Sequence, residues 1–136
     1  MEKLNEQEKN ALLDALDDEY KSWTTYDQVI RNFGKIRPFI NVREAEGRHI
    51  EALLKLCQHY GVTPPPNRWL NNTPQYNNLI EACRAGVVGE IDNVALYDRI
   101  SKSTIRQDIL NVYDALRRAS QERHLPAFQR CAERGN

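Results

Sequence analysis

The chain has 136 residues, with 19 Lys+Arg against 19 Asp+Glu and a formal net charge of zero. That length suits one domain, residues 1–136, with a core of its own, and the missing basic excess argues against a nucleic-acid binder or a polybasic membrane-surface protein. Residues 1–10 are polar and no apolar run is long enough to cross a bilayer, so a soluble, cytoplasmic protein without signal peptide or membrane segment is expected.

Sparse glycine and proline divide the chain into four long segments. The first predicted helix runs from about Glu6 to Phe33 and stops at Gly34. Its core stripe is Leu12, Leu16, Glu19, Trp23, Tyr26, Ile30 and Phe33. The second opens at Pro38, a residue suited to a first turn, and stops at Gly61; its stripe is Phe39, Val42, Glu46, His49, Leu53, Leu56 and Tyr60. The third opens after Thr73-Pro74 and ends near Ser101, with Tyr76, Ile80, Cys83, Val87, Glu90, Val94 and Tyr97 in its stripe. The fourth opens at Ser103 or Thr104 and runs to about Glu133, carrying Ile109, Tyr113, Leu116, Ser120, His124, Phe128 and Cys131. No segment alternates with period two, so strands are not expected. The short joins after the first and third helices make antiparallel neighbours. The middle join, residues 61–73, holds Pro64-Pro65-Pro66. Extended, it reaches roughly 40 Å at about 3.1–3.3 Å per residue, against roughly 33 Å for the second helix at 1.5 Å per residue. Two hairpins linked by one long crossover between helices 2 and 3 make an all-α, ferritin-like antiparallel four-helix bundle.

Six polar residues interrupt the stripes, Glu19, Glu46, His49, Glu90, Ser120 and His124, and the three glutamates and two histidines among them lie near the middle of their helices. A buried carboxylate must be paired, protonated or bound to metal, and carboxylate with imidazole suits iron, manganese or zinc. Glu46 and His49 stand three residues apart, on one face of their helix. Tyr26 and Tyr97, each two turns beyond a stripe glutamate, are expected to pack in the core. Trp69 and its neighbouring prolines are expected to cover one bundle end, and Pro126 to bend the fourth helix just beyond His124. Cys57, Cys83 and Cys131 form no CxxC pair, so a zinc ribbon, a rubredoxin-type site and a thioredoxin motif are not indicated; buried free thiols in a reducing compartment are expected.

These residues resemble the ferritin-like di-iron carboxylate proteins, in particular the small rubrerythrin-related bundles of unassigned function. Leu16-Asp17-Asp18-Glu19-Tyr20-Lys21 followed by Tyr26 is similar to the first ligand helix of that group. Pro38-Phe39-Ile40-Asn41 leading to Ala45-Glu46-Gly47-Arg48-His49 is similar to the second, Gly89-Glu90-Ile91 with Leu96-Tyr97-Asp98 to the third, and the stretch from Ser120 to Phe128 to the fourth. The family pattern is a Glu from each of two helices and an E-x-x-H from each of the others. Carried across, it falls on Glu19, Glu46, His49, Glu90 and His124, with Gln121 at the sixth place where the pattern has Glu. Glutamine lacks the charge, and Glu122 lies on about the opposite face from His124. The resemblance implies a metal-binding protein holding two irons, with manganese or zinc as other occupants. It also implies oxidoreductase chemistry with dioxygen or peroxide, of the ferroxidase or peroxidase type, an electron donor from another protein, and a homodimer. Two alternatives stand beside it: a non-catalytic helical scaffold or interaction module with a degenerate metal site, and a zinc hydrolase site.

Overall fold

The computed structural model describes residues 3–134. Helix α1 (Glu6–Phe33) opens on a capping box: the Asn5 side chain accepts from the Glu8 N–H while the Glu8 carboxylate accepts from the Asn5 N–H. Gly34, at φ 98°, ends it. Helix α2 (Phe39–Tyr60) ends at Gly61, whose φ of 67° is the left-handed cap that glycine adopts without Cβ strain. Helix α1 has the expected bounds, and α2 opens one residue later than expected, with Pro38 at its N-cap.

Helix α3 (Leu79–Ile100) starts later than expected, because the Asn78 side chain caps it by accepting from the Glu81 N–H. Tyr76 therefore lies before the helix and packs on the core from the crossover. The fourth helix also starts later. Ser101–Ser103 form a 3-10 turn, the Thr104 hydroxyl accepts from the Arg106 N–H, and α4 spans Gln107–Ala119. It runs on through a π-helical turn, Ser120–His124, into α5 (Leu125–Glu133). In that turn the Leu125 N–H reaches the Ser120 carbonyl, five residues back. Pro126, which has no N–H to give to the preceding turn, stands two residues after it.

Contacts between the helices fix their directions. Along α1 the partners on α2 fall in number as α1 rises: Glu19 meets His49 and Asp27 meets Arg43. On α3 they fall likewise, with Glu19 against Tyr97 and Tyr26 against Glu90. Asp98 and Arg117, then Glu90 and His124, show that α3 is antiparallel to the fourth helix. Helices α2 and α3 are thus parallel and joined by the long crossover, which completes the expected ferritin-like bundle. The crossover runs along the outside of α1. Arg68 makes a two-pronged bond to Asp17, the Trp69 indole N–H donates to the same carboxylate, and the Asn67 amide donates to the Thr24 hydroxyl. Trp69 therefore lies against the middle of α1, stacked with Arg68, and not over a bundle end.

The apolar core is in two parts. One, around Leu12, Leu16, Leu53, Tyr97, Ile109 and Tyr113, fills one end of the bundle. The other, around Tyr26, Phe39, Val42, Cys83 and Phe128, fills the other end. Cys83 and Cys131 are joined by a disulfide, with Cα atoms 5.8 Å apart. The expectation of three free thiols is corrected for this pair, because α3 and α5 bring residues 48 apart in sequence side by side; Cys57 is free and buried. Gly86 is what lets α3 approach α5: a Cβ there would stand 2.7 Å from the Phe128 ring, which is fully buried and has little room to move. Gly86→Ala is expected to cost about 1–3 kcal/mol despite alanine's better helix propensity, and chemical denaturation followed by circular dichroism would measure it. No described helix is long and apolar enough to cross a membrane.

Candidate metal centre

Between the two apolar clusters the four helices turn polar side chains toward one another. Glu19, Glu46, His49, Glu90 and His124 are all buried. The His49 Nδ1 lies 3.0 Å from Glu19 Oε2 and 3.5 Å from Glu46 Oε2. The His124 Nδ1 lies 3.1 Å from both Glu46 Oε1 and Glu90 Oε1. The imidazole rings stack with centroids 5.6 Å apart and planes 21° apart. The ligand atoms form two tight groups, Glu19–Glu46–His49 and Glu46–Glu90–His124, each able to hold a metal ion. Glu46 belongs to both, presenting one oxygen to each ring.

The outer layer pairs the two halves. Tyr26, seven residues after Glu19 on α1, donates to Glu90 on α3 at 2.6 Å. Tyr97, seven residues after Glu90, donates back to Glu19 at 3.2 Å. This exchange follows from two antiparallel helices whose glutamates sit at one depth. Both tyrosines are buried in the core as expected, and each also fixes a carboxylate. Burial first, and then the facing carboxylates, push both phenols well above their ordinary range, so they stay protonated and donate. Asn93 donates to Glu19 and Asp18 and accepts from the Ser120 hydroxyl.

Gln121 does not join the centre. It is exposed, and its side-chain oxygen accepts from Arg117 at 2.8 Å. The π turn is the reason: it turns Ser120 inward with His124 and carries position 121 to the surface. The fourth helix thus offers an imidazole and a hydroxyl, and the Gln121 assignment is corrected.

The buried carboxyls and imidazoles shift one another's protonation. Burial and the nearby Glu46 charge push the Glu19 carboxyl up to about 8. Burial alone would lower both histidines. The hydrogen bond to Glu19 and then the Glu46 carboxylate 3.5 Å away outweigh it at His49, held up to about 10, and the Glu46 and then Glu90 carboxylates outweigh it at His124, held up to about 9. Glu46 Oε2 is buried without a hydrogen-bond donor, an arrangement that native interiors rarely tolerate unless an ion or water completes it. Three carboxylates, one of them with an orphaned oxygen, and two imidazoles converging in the buried centre fit a divalent metal.

A ferritin-like bundle with a buried glutamate–histidine centre is the class these features define. The family model described as an uncharacterized protein domain, DUF2202, matches residues 8–136, and the chain belongs to that family. It is 24% identical over 142 residues to the uncharacterized protein MJ0754 of Methanocaldococcus jannaschii, covering 93% of this chain and 76% of that protein. The crystal structure of hypothetical protein MJ0754 superposes with a TM-score of 0.87 at 21% identity, over 99% of this chain and 85% of that one. The conserved hypothetical protein rv2844 from Mycobacterium tuberculosis gives 0.81 at 17% identity, over 93% and 91%. At these identities the likeness is one of fold.

Proposed function

We propose that this protein is a non-haem metal oxidoreductase. Two irons would be held by Glu19, Glu46, His49, Glu90 and His124, and would act on dioxygen or peroxide in the manner of a ferroxidase or peroxidase. The observation that carries the reading is Glu46, whose two oxygens each face one of two buried glutamate–histidine groups. Iron bound there supplies one-electron redox chemistry that no protein side chain in the centre offers. The chain's own residues supply the rest. Tyr26, Tyr97 and Asn93 hold Glu90 and Glu19 in orientation by donating to them. The apolar clusters close the centre at both ends of the bundle. Electrons would come from an outside donor.

Elemental analysis of protein purified without chelators tests this, together with optical spectra after anaerobic iron(II) loading and exposure to air. About two irons per chain and a new ferric absorption are expected, following the two-ion pattern of such bundles. No iron uptake would leave a polar network that serves as a scaffold.

A second consequence is a pH dependence. Without metal, each imidazole keeps a proton at neutral pH on the nitrogen that faces the carboxylates. A metal must displace those protons, so uptake releases them and strengthens as pH rises. Competition against a chromophoric chelator between about pH 6 and pH 8 is expected to show the affinity climbing; a flat profile would mean that the metal does not use these rings.

A further inference from the structure

A groove of about 520 Å³ opens beside the centre, and both His49 and His124 line it. Five arginines line it as well: Arg37, Arg48, Arg123, Arg130 and Arg134. No acidic side chain does. The chain as a whole is neutral, so this is a local concentration of positive charge. Arginines elsewhere hold acidic partners, as Arg31, Arg43, Arg68, Arg99, Arg117 and Arg118 do. Among the described residues, none of the five groove arginines has an ion pair. Like charges gathered around a concavity repel one another, and the missing counter-charge has a natural source in a ligand.

Placement adds direction to the charge. Arg48 immediately precedes His49 and Arg123 immediately precedes His124, and the two pairs come to one groove from facing helices. Guanidinium forks match the planar and tetrahedral oxyanions of carboxylate and phosphate groups. Val42, Ala45, Ala119 and Ala127 give the same groove an apolar lining for a carbon skeleton. We propose that this groove binds a small organic anion bearing a phosphate or carboxylate group, gripped by Arg48 and Arg123 beside the two imidazoles. Its size lies in the range of small-molecule sites, and no general basic excess is present to favour a nucleic-acid strand. That the anion is a substrate of the metal centre rests on the oxidoreductase reading; that it binds does not.

The test is calorimetric titration of inorganic pyrophosphate, and separately of citrate, into chelator-treated, metal-free protein. Three proteins are compared: wild type, Arg48→Gln/Arg123→Gln, and Arg31→Gln/Arg118→Gln, which loses the same charge from paired surface arginines. Saturable binding is expected in the wild type, weakened about 10- to 100-fold in the groove variant and unchanged in the surface variant. Where circular dichroism shows the groove variant unfolded, Arg130→Gln/Arg134→Gln at the helix end takes its place. Absence of saturable binding, or equal weakening in both double variants, would overturn the proposal. Tighter, steeply salt-dependent binding of a short single-stranded oligonucleotide would overturn it in favour of a nucleic-acid surface. Repeating the titration after zinc loading separates the two readings. Anion binding by a protein that takes up no metal sustains the groove and removes the oxidoreductase. Binding seen only in the loaded protein assigns the anion to the metal and removes the groove.

Discussion

Alanine at position 46 is expected to abolish metal uptake in both halves of the centre at once. Glu46 is the residue common to the two ligand groups, with Oε1 at 3.1 Å from His124 and Oε2 at 3.5 Å from His49. Its removal leaves each half with one carboxylate and one imidazole. His49→Ala should behave differently, stripping the Glu19 half while Glu46, Glu90 and His124 remain together. The two variants therefore predict distinct stoichiometries, none for Glu46→Ala and about one metal per chain for His49→Ala, read by elemental analysis after loading. A stability signature goes with the loss: metal at 100 times its dissociation constant stabilises a fold by about 2.7 kcal/mol, and Glu46→Ala should show no such rise in melting temperature when metal is added. If Glu46→Ala retains wild-type metal content, the centre is placed wrongly. If neither wild type nor variant binds metal, Glu46 is the counter-ion of two buried imidazoliums. The variant then leaves each imidazolium a single carboxylate partner, Glu19 or Glu90, and loses about 1–3 kcal/mol of stability for the charged hydrogen bonding removed.

Much of this arrangement is legible in the sequence because a helix reports its buried face by period. Glu19, Glu46, His49, Glu90 and His124 each interrupt an otherwise apolar stripe, and all five meet in the interior. Gln121 was misplaced for a reason equally local. An α-helical turn puts positions 120 and 121 almost equally near the face of His124, and the inserted π turn selects 120. Two features mark it in the sequence: Ser120 itself interrupts the stripe, and Pro126 sits where a regular helix would need its N–H. Asn93 was hidden because its neighbour Val94 continues the apolar period; only the facing Glu19 and Ser120, on other helices, give its amide a role. The reciprocal bonds of Tyr26 and Tyr97 likewise depend on the relative depth of α1 and α3, which periodicity within one helix does not contain. The starts of α3 and α4 were set by side-chain caps and turns, Asn78 in one case and Thr104 in the other, that outweighed the helix-opening signals placed earlier in the chain.

The disulfide carries the second large expected effect. An odd count of cysteines with wide spacing does not indicate a pairing, and Cys83 meets Cys131 only because Gly86 lets α3 close on α5 at Phe128. The bond closes a loop of 48 residues, for which loss of denatured-state entropy amounts to about 4 kcal/mol in the chain-entropy model. Cys83→Ala/Cys131→Ala is therefore expected to be less stable than oxidised wild type by about 2–4 kcal/mol in chemical denaturation. Wild type treated with reductant should converge on the variant, and Cys57→Ala, which breaks no crosslink, should remain crosslinked and keep its response to reductant. Metal content provides the sharper reading. Cys83 stands seven residues before Glu90 and Cys131 seven after His124, each about two helical turns from the centre. A crosslink that acts through the unfolded chain leaves the folded centre as it was, so the double variant should still take up its full complement of metal while melting earlier. Loss of metal together with stability would instead mean that the bond holds α3 and α5 at the spacing that Glu90 and His124 require. Two free thiols at these positions in air-oxidised protein, found by mass spectrometry after alkylation, would remove the crosslink from the account.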